Sequence, residues 1–139
     1  MTKPHSRSRP SVLSSILRIA IAIPLGLAFA WIGLQHFLDP AKFDAIVPPW
    51  LGWPRFWTIS SGALEIVLGL GLAWPTTRSR AAVLLIALVL AMSLANLHMW
   101  LNDVPFDGVR FSTRGHVVRW AIQIALLLTL FWLSRRPRA

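Results

Sequence analysis

The chain has 139 residues, enough for one domain, and 55% of them are hydrophobic, which is high for a soluble protein. Fourteen Lys and Arg oppose five Asp and Glu, for a formal charge of +9. The basic residues lie between apolar runs and at the two ends rather than on one patch or helix face, which argues against a nucleic-acid partner and for a lipid bilayer. Cysteine is absent, which excludes disulfides, thiol redox chemistry and Cys-ligated metal or iron–sulfur sites.

Four apolar runs are long enough to cross a bilayer as helices: about 16–38, 56–74, 81–101 and 117–133. They predict an all-α fold, an integral membrane four-helix bundle over 16–133, with basic tails over 1–15 and 134–139. Pro24 is expected to kink the first span, which neighbouring helices tolerate. The basic start and Ala28-Phe29-Ala30 admit a cleavable signal peptide as a competing reading. The apolar run continues through Trp31, Ile32, Gly33 and Leu34, past any cut at Ala30, so a retained helix is expected.

The loop after the first span begins with Asp39-Pro40, a capping residue followed by Pro at a first helical position. Phe43, Ile46 and Val47 then share a face, and Pro48-Pro49 stops the turn. Trp50, Trp53 and Trp57 follow. This predicts a short helix lying in the membrane interface with an aromatic belt; an ordinary loop with Trp anchors is the plainer alternative.

Orientation follows from Lys and Arg. Lys3, Arg7, Arg9 and Arg18 precede or open the first span, Arg78 and Arg80 lie in the middle turn, and Arg135, Arg136 and Arg138 end the chain. The two longer loops carry only Lys42, Arg55, Arg110 and Arg114. Both termini are expected on the cytoplasmic side of a bacterial inner membrane, with the longer loops outside.

Glu65 lies near the middle of the second span. An ionisable residue there costs on the order of 3 kcal/mol at the bilayer centre, so it is expected to face the bundle and to have a partner. Ser61, Gly62 and Gly69 share its face, and small residues allow close helix approach. In the fourth span His116, Arg119 and Gln123 share a face. Matching depths along the spans makes Arg119 the expected charge partner of Glu65. Gln35 and His36 end the first span. In the third, Asn96 shares a face with Met92, Ser93 and Met99, while His98 lies about 200° away around the helix, so Asn96 is expected to face inward.

These residues define a candidate ligand-binding cluster in the outer half of the bundle: Gln35, His36, Glu65, Asn96, Arg119 and Gln123. Two interpretations compete. The cluster is helix glue, in which polar side chains hold spans together for about 0.6–2 kcal/mol each, or it lines a cavity for a small molecule with a polar head. A metal or haem on His36, His98, His116 and Glu65 is a minor third, since no HxxxH or ExxH spacing supports it.

Several of the same residues resemble the DoxX-like family of small four-helix membrane proteins. The matching stretches are Gly33-Leu-Gln-His36-Phe37 with Pro40 and Phe43, Ile46-Val-Pro-Pro-Trp-Leu51, and Ser61-Gly62-Ala-Leu-Glu65-Ile with Gly69-Leu-Gly71. The basic turn before Ala81-Ala82, then Ala95-Asn96 with Met99, and Arg119 with Gln123 complete it. The likeness spans about residues 16–133, and its order and spacing carry it more than any single piece.

The resemblance implies a four-helix bundle in the cytoplasmic membrane and, from the family's thiosulfate:quinone oxidoreductase subunit and other partners of redox enzymes, a role beside a redox enzyme. It carries over no catalytic motif. The expected function is therefore an accessory subunit of a redox system that binds a quinone-like lipophilic molecule in an outward-facing polar cavity, with no covalently bound cofactor. No electron carrier is encoded, so any enzymatic role is that of a subunit. The alternative is a non-enzymatic assembly factor for another membrane protein, with a structural polar cluster; a homo-oligomer is compatible with both. A transporter is weaker, because four short spans without broken helices or repeats lack the usual architecture.

Overall fold

The computed structural model describes residues 12–135, so Lys3, Arg7, Arg9, Arg136 and Arg138 of the basic tails lie outside the described residues. The elements are α1 (Val12–Leu38), α2 (Pro40–Asp44), a 3-10 turn (Pro49–Leu51), α3 (Pro54–Ala73), α4 (Arg78–Leu101) and α5 (Thr113–Ser134). The described residues form no strand, only one isolated bridge between Phe106 and Val109. The fold is all-α, a four-helix bundle. α1, α3, α4 and α5 are each long and apolar enough to cross a membrane.

The long helices start earlier than the apolar runs do, for local reasons. Pro54 occupies a first helical position of α3, where its missing N–H costs nothing. The Ser112 hydroxyl caps α5 by accepting from the Gly115 N–H at 3.3 Å. Arg78 opens α4 because its guanidinium folds back onto α3: Nε donates to the Leu72 carbonyl at 3.1 Å and Nη2 to the Ala73 carbonyl at 3.2 Å. These are the last carbonyls of α3, which have no partner within their own helix. α1 runs as one helix through Pro24.

The outside of the bundle is apolar on every long helix. Ile23, Leu27, Leu64, Val67, Leu84, Leu90, Ile122 and Leu128 are all exposed. A water-soluble protein does not leave so continuous an apolar surface open, whereas hydrocarbon is a good solvent for it.

α1 packs on α3, α3 on α4, and α4 on α5. The α1–α3 pair is the closest. On α1 the buried residues are Ala22, Gly26, Phe29, Gly33 and His36; on α3 they are Thr58, Gly62, Glu65, Gly69 and Leu72. Both stripes use the same alternating steps of four and three, the seam of a helix pair. Gly26 faces Gly69 and Gly33 faces Gly62 across an antiparallel crossing. A Cβ built on Gly33 would lie 2.6 Å from the Gly62 carbonyl oxygen, and one on Gly69 2.5 Å from that of Gly26. Only hydrogen fits at these points, so the two backbones touch.

The apolar core, including Ala22, Phe29, Leu72, Ala82, Leu85, Leu130 and Leu133, fills the half of the bundle nearer the chain termini. Polar groups also rim that end: Ser79 donates to the Ser134 carbonyl, and Arg18 Nη1 donates to the Arg135 carbonyl at 2.8 Å. Arg78 is buried at that end as well, and the opposite half, toward the two longer loops, holds the other buried polar side chains, His36, Thr58, Glu65, His116 and Gln123.

The expected short helix after the first span is present as α2, which has Pro40 at a first helical position. Asp39 makes no capping hydrogen bond; its carboxylate sits 3.7 Å from the Lys42 ammonium instead. Arg55 Nε donates to Asp44 Oδ2 at 2.8 Å, which ties α2 to the start of α3. Trp50 and Trp53 are 71% and 81% exposed, placed to anchor in an interface.

Candidate functional site

The six polar residues singled out from the sequence do not form one hydrogen-bonded network. They separate into two groups, and Gln35 joins neither. Gln35 is half-buried and its side chain makes no hydrogen bond among the described residues.

The first group is His36 with Glu65. Side chains on a helix lean toward its N-terminus. In an antiparallel pair, His36 therefore leans down α1 and Glu65 leans up α3, and they meet beside the Gly33–Gly62 contact. Both residues are 2% exposed. His36 Nδ1 lies 2.9 Å from the Ile32 carbonyl, which can only accept, so Nδ1 carries the proton and donates there. Glu65 Oε2 lies 3.3 Å from the same Nδ1. The distance is that of an ion pair, yet Oε2 has no hydrogen bond of its own, because the proton is directed at the carbonyl. The Thr58 hydroxyl, two turns along the same stripe of α3, is also buried without a partner.

The second group joins α4 to α5 in a chain of hydrogen bonds. Arg119 Nη2 donates to Asn96 Oδ1 at 2.7 Å, and Asn96 Nδ2 donates to Gln123 Oε1 at 2.7 Å. Gln123 Nε2 donates to the Ser93 hydroxyl, which donates to the Val89 carbonyl at 2.9 Å. The expected Glu65–Arg119 ion pair is absent from the described residues, so that expectation is corrected. Arg119 reaches a neutral amide on α4 because α5 packs against α4, whereas Glu65 faces α1. Asn96 faces this network, and His98 turns to Asn102, with 2.9 Å between His98 Nδ1 and Asn102 Nδ2.

Aromatic rings join the two groups at the loop end. Phe43 of α2 stacks on the His36 imidazole with centroids 3.7 Å apart. Phe106 meets Phe43 edge-on at 5.5 Å. The Arg119 guanidinium lies over Phe111 at 5.0 Å and over Phe106 at 5.9 Å. Phe106 is held by a two-residue turn in which Asp107 and Gly108 both have positive φ, 52° and 74°, closed by reciprocal Phe106–Val109 backbone bonds of 3.0 Å. Asp-Gly is the sequence signature of such a turn, and reading the loop for it would have placed Phe106. His116 is buried and stacks on Trp100 at 5.5 Å. Among the described residues no three His, Cys, Asp or Glu side chains gather to hold a metal.

The family model for a domain of unknown function, DUF8561, matches residues 25–134. The chain belongs to the DUF8561 family. The matched stretch contains all four long helices except the first half of α1, and both polar groups. No curated protein and no solved structure matches the chain.

For this DUF8561 chain, the two groups differ in what they can still do. In the Arg119–Asn96–Gln123–Ser93 chain each amide both donates and accepts, and the chain ends on the Val89 carbonyl. The His36–Glu65 pair is open. It presents a carboxylate oxygen without a donor, and an imidazole whose Nε2 makes no hydrogen bond among the described residues. Both are acceptors while the imidazole is neutral, and both can take up a proton.

Proposed function

We propose that the chain is a DoxX-like accessory subunit of a redox system in the bacterial inner membrane, with cytoplasmic termini, and that it binds a quinone-like molecule at the loop end beside His36 and Glu65. The observation that carries this reading is the open pair. A buried carboxylate oxygen without a donor is costly in an apolar surrounding, and a hydroxyl on an incoming lipophilic molecule satisfies it. The aromatic surfaces of Phe43 and Phe106 suit a planar head group, and the apolar exterior suits a lipid-soluble one.

Conversion of a quinone to its quinol takes two electrons and two protons. Electrons come from a partner redox enzyme, since the chain has no cysteine for thiol–disulfide exchange and encodes no electron-carrier motif. Glu65 and His36 exchange protons with the head group's oxygens. The inner-membrane placement and cytoplasmic termini rest on the excess of Lys and Arg at the end bearing the termini. The alternative of a non-enzymatic assembly factor draws its support from the Asn96–Gln123–Ser93 bonds, in which both amides are paired within the protein and tie α4 to α5. The measurement that separates the two is native mass spectrometry of the purified protein with added ubiquinol or menaquinol, the reduced forms that carry the donating hydroxyl. Retention that falls in both His36→Ala and Glu65→Gln is expected. No retention, or retention indifferent to both changes, removes the quinone reading and leaves the assembly factor.

A further inference from the structure

A second region stands apart from this site. At the end bearing the termini, α1 and α5 do not close on each other, and a groove of about 320 Å³ runs between Leu17 and Ile21 on one side and Leu128, Thr129 and Trp132 on the other. That is the lower end of the size range of small-molecule sites, roughly 300–1,000 Å³. Its lining is apolar, and the one hydroxyl is already used, Thr129 Oγ1 donating to the Ala125 carbonyl at 2.8 Å. The groove offers nothing to a polar occupant and suits a hydrocarbon chain.

Its mouth is cationic. The Arg18 guanidinium lies over the Trp132 ring at 4.5 Å, and among the described residues one of its five N–H groups is engaged, with the Arg135 carbonyl at 2.8 Å. Arg135 is exposed and rests on Phe131. Among the described residues no acidic side chain pairs with Arg18 or Arg135. The acidic side chains are Asp39, Asp44, Glu65, Asp103 and Asp107, so residues 1–38, 66–102 and 108–139 contain none. Crowded cations beside an apolar groove call for one molecule that carries both a negative head and a hydrocarbon tail.

We propose that this groove is a binding site for an anionic phospholipid, its phosphate held by Arg18 and Arg135 and one acyl chain laid between α1 and α5. The site is at the opposite end of the bundle from His36 and Glu65 and is independent of the reading given for them. It differs from a diffuse basic surface in having a shallow, open apolar groove beside the cations.

The test is native mass spectrometry of the full chain, released from nanodiscs of equal parts phosphatidylglycerol and phosphatidylcholine with matched acyl chains. Preferential retention of phosphatidylglycerol is expected. Arg18→Gln should lower the retained fraction about fivefold, the share of one Arg in attraction to an anionic lipid. Because Arg18 also caps α5, Leu128→Trp is the second variant; it fills the groove with the charges intact and should abolish retention. Arg114→Gln, exposed at the loop end, should retain lipid as the unaltered chain does. Equal retention of both lipids, or retention unchanged in both Arg18→Gln and Leu128→Trp, overturns the proposal. Displacement of the lipid by millimolar inorganic phosphate also overturns it, because the site would then be one for a free anion.

Discussion

Gly62→Ala tests the contact on which the His36–Glu65 pair depends. The added Cβ would lie 2.5 Å from His36 Cβ, 2.8 Å from the Gly33 carbonyl oxygen and 3.1 Å from His36 Cγ. Carbon atoms in favourable contact sit about 3.5–4.0 Å apart, so roughly 1 Å must be found. None of the three atoms is the end of a flexible side chain. Relief therefore requires α1 to move off α3, which also carries His36 away from Glu65. Over-packing of this kind costs about 1–3 kcal/mol, with the upper end apt where backbone must move. Ala gains back about 1 kcal/mol over Gly in helix propensity, which leaves a net loss of about 2 kcal/mol. Gly71→Ala is the internal control: its Cβ would meet Ala81 Cβ at 3.2 Å and Thr77 Oγ1 at 3.8 Å, a misfit of a few tenths of an ångström. It should be neutral or slightly stabilising. Unfolding in mixed micelles, followed by Trp fluorescence, reads both. If Gly62→Ala unfolds together with Gly71→Ala, the backbone contact is not what holds α1 to α3.

The remaining predictions concern the polar groups and topology. Arg119→Gln and Asn96→Ala should be non-additive in stability by about 0.5–3 kcal/mol, whereas Arg119→Gln and Glu65→Gln should add within about 0.5 kcal/mol; a double-mutant cycle in the same unfolding assay decides, and strong Glu65–Arg119 coupling would restore the ion pair. Arg78→Ala should destabilise by about 2 kcal/mol, because two carbonyls at the end of α3 lose charged donors, while exposed Arg80→Ala should stay within about 0.5 kcal/mol of the unaltered protein; equal melts would refute the capping role. Phe43→Ala should speed modification of Glu65 by a hydrophobic carbodiimide, read by peptide mass, and an unchanged rate would mean that Phe43 does not cover the pair. Reporter fusions after Trp50 and after Phe106 should read as periplasmic and one after Arg80 as cytoplasmic; a cytoplasmic signal after Trp50 reverses the orientation.

The long helices were legible in the sequence because each needs only an uninterrupted apolar run, and the short α2 was legible from Asp39-Pro40. Glu65 was also legible as inward-facing, from Gly62 and Gly69 on its face. Its neighbour was not. Depth counted from the ends of the spans matched Glu65 with the fourth span, and charge then selected Arg119. That count took all four helices as level. The Gly26–Gly69 and Gly33–Gly62 contacts set α1 lower than α3, so His36, two residues from the end of its helix, is beside a residue near the middle of another. The clue was present: Gly26 and Gly33 are spaced as Gly62 and Gly69 are. The polar residues of the end bearing the termini were under-read for a different reason. Arg18 and Arg78 read in the sequence as flanking and turn charge, yet they and Ser79 bond to backbone carbonyls, whose positions depend on where each helix stops.

The register of α1 on α3 also bears on how the chain enters a bilayer. α3 is the least apolar of the four spans and alone carries an acidic residue. Left by itself in lipid, Glu65 would cost on the order of 3 kcal/mol at the centre. α1 is made first and presents the glycine face and His36 that shield this side chain. Lateral release of α3 into lipid is thus easiest as a hairpin already docked on α1, which makes the order of synthesis part of what allows a carboxylate inside this bundle.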